Sequence, residues 1–71
     1  MDVSVMSKKL TRARGDKTQK FVSDEVGISQ SALNMYESGE RVPRDEIKER
    51  LAAYYGTTVG YLFFDEKVHG A

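Results

Sequence analysis

Residues 27–39 read GISQSALNMYESG. Within that stretch Gln30, Ser31 and Asn34 are the side chains best equipped for recognition chemistry. A primary amide carries a donor and an acceptor side by side, and a hydroxyl carries both on one atom. Gln30 and Asn34 lie four apart and so share one face of a helix. Met35 adds an apolar surface beside them. Residues 21–40 contain no lysine or arginine; their only charges are Asp24, Glu25, Glu37 and Glu40. Positive charge sits on the flanks instead. Lys8, Lys9, Arg12, Arg14, Lys17 and Lys20 precede the stretch, and Arg41, Arg44, Lys48 and Arg50 follow it. The formal net charge is zero, but binding depends on charge gathered on one face rather than on the sum.

Covalent and metal chemistry find little to work with. The chain has no cysteine, which excludes disulfides and thiolate nucleophiles and fits a reducing compartment. Its one histidine, His69, stands apart from any cysteine or carboxylate cluster at metal-ligand spacing. The six glycines form no phosphate-cradling motif. No serine has a nucleophile-elbow context. The expectation is therefore a protein that is not an enzyme, with no cofactor, no metal and no small-molecule effector. No apolar run approaches the length of a membrane span. The opening MDVSVMSKKL lacks the charged lead of a secretion signal.

Helical signals dominate the elements that must hold these side chains. Seventy-one residues suffice for one small domain. Residues 1–6 are expected to be a flexible N-terminal tail, 7–64 the domain, and 65–71 a C-terminal tail. Met6, Leu10 and Ala13 mark the inward face of a first helix that ends at Gly15-Asp16. Thr18 caps a second helix with Val22 and Val26 inward, and Gly27 stops it. Ser29 caps a third, with Leu33 and Tyr36 inward, ending at Ser38-Gly39. Pro43 stands near the start of a fourth helix, in which Ile47 and Leu51 form the stripe together with Tyr54 or Tyr55. Thr58 caps a short fifth helix with Val59, Leu62 and Phe63. The spacing predicts an all-α, compact five-helix orthogonal bundle. Only Gly27 and Ile28 separate Val26 from the cap Ser29, so the second and third helices must cross steeply as a helix-turn-helix.

The stretch TQKFVSDEVGISQSALNMYESGERVP resembles the lambda-repressor-like family, also described as Cro/C1-type or xenobiotic-response-element type. The similarity runs from about Leu10 to Phe63 and is distributed. It includes Thr18-Gln19, Val22, Val26-Gly27, Ser29, Leu33, Tyr36-Glu37, Gly39, Arg41, Pro43 and AAYYGTTVGYLF. The resemblance implies a bacterial or phage transcriptional regulator, chiefly a repressor, acting in the cytoplasm at the nucleoid. Its partner would be double-stranded DNA, with the third helix in the major groove of a palindromic operator.

On this resemblance Gln30, Ser31, Asn34 and Met35 occupy base-reading positions. Amides suit adenine N6/N7, and a methionine can pack on a thymine methyl. Thr18, Gln19, Lys17, Lys20, Ser29, Arg41 and Arg44 become phosphate-binding candidates, Gln19 with help from the N-terminus of the second helix. Glu40 departs from the basic residue common at its position. The family also pairs an arginine late in the first helix with a glutamate late in the third. Glu37 is the carboxylate; Arg14 is the preferred partner and Arg12 the alternative. Ser23 fills a small position where the second helix approaches the third. Tyr61, Phe64 and Val68 are expected to form an exposed patch at the interface of a homodimer. A protein-interaction module on the same fold, such as an antitoxin, is the rival reading, favoured by Glu40 and the zero net charge. RNA binding has little support, because no aromatic stacking platform is evident.

Overall fold

In a computed structural model, which describes residues 2–64 of the chain, five helices form a single bundle. They are α1 (Val3–Arg14), α2 (Gln19–Val26), α3 (Gln30–Ser38), α4 (Asp45–Tyr55) and α5 (Val59–Phe63). Among the described residues there is no strand, and none of these helices is long and apolar enough to cross a membrane.

Each boundary has a local cause. Thr18, Ser29 and Thr58 accept hydrogen bonds from the backbone N–H of Phe21, Ala32 and Tyr61, all at 3.0 Å. These caps satisfy donors that a helix start leaves without partners. Asp2 does the same for Ser4 N–H at 2.9 Å, which starts α1 inside the segment expected to be a tail. Met6 is consequently a core residue, 1% exposed. Helix α2 ends at Gly27, whose φ of +85° is a left-handed conformation that glycine adopts at no steric cost. The N–H groups of Gly27 and Ile28 both donate to Ser23 C=O, closing α2 just before the Ser29 cap opens α3.

The core takes Met6 and Leu10 from α1, Val22 and Val26 from α2, and Leu33 and Tyr36 from α3. Ile47, Leu51 and Ala52 of α4 and Leu62 and Phe63 of α5 complete it. Ala13 is a correction: it is exposed. Helix α1 packs along the row Met6, Leu10, Arg14, because α3 lies on that side and presents Glu37 to Arg14. Ala13 lies one position off the row, in the last turn. Ser23 is buried, with its hydroxyl donating to Lys20 C=O at 3.0 Å. Tyr54 and Tyr55 both pack partly against the core, with their rings edge to face at 5.3 Å. Helix α3 is thus held from behind by α1 and α2, which leaves its opposite face to solvent.

Candidate nucleic-acid interface

The outward face of α3 carries Gln30, Ser31 and Asn34 as exposed side chains, with Met35 half-buried beside them. Burial of Leu33 and Tyr36 fixes this orientation, because on a 3.6-residue period the remaining positions must turn away from the core. No cation emerges from the helix. Its single charge, Glu37, is consumed internally. Arg14 donates from Nε to Glu37 Oε2 at 2.8 Å and from Nη2 to Glu37 Oε1 at 2.9 Å. Arg14 Nη1 also donates to Lys17 C=O at 2.6 Å. Arg14, not Arg12, therefore makes the ion pair. The hydrogen bond to Glu37, opposed by partial burial, raises the guanidinium pKa further above its usual value.

Gln19 joins the same network. Its Nε2 donates to Glu37 Oε1 at 3.0 Å and to Asn34 Oδ1 at 3.4 Å. A primary amide has two N–H donors, and both are engaged here. In the free chain Gln19 can therefore offer a phosphate its backbone N–H, in the first turn of α2, rather than its side chain. The contact with Asn34 uses the Oδ1 of that amide, which leaves its Nδ2 to donate elsewhere.

The other candidates divide by what already holds them. Thr18 and Ser29 cap their helices through lone pairs, which leaves each hydroxyl proton available to an anion. Lys20 forms an exposed i,i+4 pair with Asp24 at 3.2 Å, a contact water readily replaces. Lys17 lies with Nζ 5.3 Å from the Tyr54 ring centroid. Among the described residues, no carboxylate lies within ion-pair distance of Arg41 or Arg44, and both are exposed. They border a groove that also includes Arg50, to which the sequence reading gave no role. Its only sequence signal is Glu46 four residues earlier, with which it forms a 2.8 Å contact. Phe21, half exposed in the first turn of α2, also escaped the sequence reading; the Val22–Val26 stripe leaves it outside the core.

The expected dimer patch is less uniform than its composition suggested. Tyr61 packs partly against the core, and Lys9 Nζ donates to its carbonyl at 2.7 Å and lies 4.2 Å from its ring centroid. Phe64 is 54% exposed, with Lys48 Nζ 4.7 Å from its ring centroid. Val68 lies outside the described residues, as does His69. Among the described residues, no three His, Cys, Asp or Glu side chains gather to hold a metal ion.

A family model described as helix-turn-helix matches residues 9–62. The chain is similar to the cryptic phage CTXphi transcriptional repressor RstR of Vibrio cholerae, at 29% identity over 58 residues. That match covers 82% of this chain and 52% of the relative, so the chain spans about half the length of the curated relative it matches. No solved structure matches the chain.

Proposed function

The chain belongs to the helix-turn-helix family of the Cro/C1 type, and from that premise we propose that it is a sequence-specific DNA-binding repressor. Helix α3 enters the major groove of a palindromic operator. Gln30, Ser31 and Asn34 read base edges directly, and Met35 meets a thymine methyl. One observation carries this reading. The outward face of α3 is neutral and rich in amide and hydroxyl groups, while Gln19 at the start of α2 bonds Asn34 on that face and Arg41 and Arg44 line a groove with Ser29 and Ala32 at the start of α3. That division suits a groove, where bases lie between two lines of phosphates.

The first turn of α2 holds one phosphate strand through Gln19 N–H and the Thr18 hydroxyl, with Lys17 and Lys20 nearby. Arg41, Arg44 and the Ser29 hydroxyl hold the other. Two copies joined through Phe64 and its neighbours place two α3 helices about 34–36 Å apart, one turn of DNA. Occupancy of the operator then excludes polymerase.

Selection of bound duplexes from a random pool, repeated at two salt concentrations, tests the reading. The expected result is a two-fold symmetric consensus whose affinity falls steeply with salt. No enrichment, together with a co-purifying protein, would instead favour an interaction module built on the same fold.

A further inference from the structure

Hydrogen-bond direction is fixed along a path from α1 to the reading face of α3. Arg14 donates to both oxygens of Glu37, at 2.8 and 2.9 Å. Neither partner can reverse this, because a guanidinium only donates and a carboxylate only accepts. Gln19 bonds the same carboxylate at 3.0 Å, and it must do so through Nε2. Turning the Gln19 amide over would set its carbonyl oxygen against the Glu37 carboxylate, whose side chain is 5% exposed. The buried charge pair thus decides which way the Gln19 amide lies.

The second Nε2 proton then faces Asn34, whose Oδ1 is 3.4 Å away. That bond is long and weak by itself, but its direction matters more than its strength. Asn34 turned over would present Nδ2 to Nε2, two donors face to face. Oδ1 is therefore held toward Gln19, and the accepting half of the Asn34 amide is engaged. The exposed side chain is left with the two N–H donors of Nδ2.

Base edges sort by this polarity. An amide with both halves free pairs with adenine, accepting from N6 and donating to N7. Asn34 has its accepting half engaged, so at adenine its N–H groups meet the N6 donor. Cytosine presents only a donor, N4, and thymine a single acceptor, O4. Guanine presents two acceptors, O6 and N7, which match two donors. In a groove emptied of most water, a donor left facing a donor is costly.

We infer that Gln19 sets the base that Asn34 reads, and that this base is guanine. The inference rests on the proposed function, in which α3 lies in the major groove. Gln19 is a positioning residue here: it touches Asn34 and not the base.

Duplex selection, followed by affinities for every single-base variant of the selected site, tests this with wild type, Asn34→Ala and Gln19→Met. Methionine keeps the length of the Gln19 side chain and removes its donors. The backbone N–H of residue 19 and both Arg14–Glu37 bonds are untouched, and a thermal melt checks the fold. Asn34→Ala identifies the position read, as the one where discrimination is lost. Wild type should prefer a G·C pair there over A·T by about tenfold, the effect of one unpaired donor. Gln19→Met frees Oδ1, so the preference should move to adenine at that position alone.

An A·T pair of either orientation at that position in wild type overturns the inference, whatever the variants do. A folded Gln19→Met chain that keeps the guanine preference overturns it too, as does an Asn34→Ala chain that relaxes no position. Each of these results leaves the proposed function standing through Gln30 and Ser31. A chain that enriches no duplex refutes the proposed function itself, and the inference with it.

Discussion

Replacing Glu37 with glutamine isolates the element that joins the fold to its reading face. The Glu37 side chain is 5% exposed and accepts three hydrogen bonds, two from Arg14 and one from Gln19. The substitution keeps the shape but removes the charge, leaving Arg14 partly buried opposite a neutral amide. Removing one member of a buried pair costs about 3–5 kcal/mol. Two features place this case at the lower end. Arg14 keeps its bond to Lys17 C=O, and its side chain is 18% exposed, so water can reach it. A loss of about 3 kcal/mol follows, and for a domain of this size each kcal/mol lowers Tm by about 4–8 °C. Urea unfolding and a thermal melt at neutral pH measure it, and the apolar double variant Arg14→Met/Glu37→Leu supplies the control. That double variant should recover most of the loss, because no buried charge is then left without a partner. A Glu37→Gln effect below about 1 kcal/mol would place the pair with exposed ion pairs and refute the reasoning.

Three further outcomes are expected. The Tyr55 hydroxyl is buried with no hydrogen-bond partner among the described residues; burial first, then the Glu37 charge, pushes its pKa from 10.0 to about 12, with Arg14 opposing. The folded chain thus holds this proton more tightly than the unfolded one, so the contribution is complete below pH 10 and lost as pH rises toward 12. Tyr55→Phe should flatten that alkaline fall and gain about 1 kcal/mol at pH 7; a loss of stability on chemical denaturation would contradict this. Gly27→Ala should cost about 1–2 kcal/mol in urea unfolding, because φ of +85° strains any residue with a Cβ; a neutral result would mean the turn relaxes. Phe64→Asp should shift sedimentation at micromolar concentration from dimer to monomer, and a wild-type chain already monomeric there would refute the dimer.

The helices were legible because their punctuation is local. Thr18, Ser29 and Thr58 announce starts, and Gly27, Gly39 and Gly56 announce ends, through chemistry confined to a few neighbouring residues. The outward face of α3 could be read for the same reason, since burying Leu33 and Tyr36 determines what remains outside. The errors came where distant parts of the chain decide the outcome. Ala13 has the right spacing for burial, but α3 lies on the Arg14 side. The spacing placed Met6 inward, but the start of α1 at Val3 was missed because Asp2 as a cap is a weak signal in isolation. The commitment of Gln19 to Glu37 and Asn34 spans 18 and 15 residues of sequence, and no periodicity reports it. Arg50 was invisible as a groove residue because the turn it faces lies on another helix pair.

The central claim is that α3 reads bases through its amides. Its most direct test is the affinity of Gln30→Ala for the selected operator and for every single-base variant of it, at fixed salt. The account predicts a loss of about 1–3 kcal/mol confined to one base position in each half-site, where the variant no longer discriminates. An equal loss across all sequences, with discrimination intact at every position, would make Gln30 a backbone contact and contradict the account.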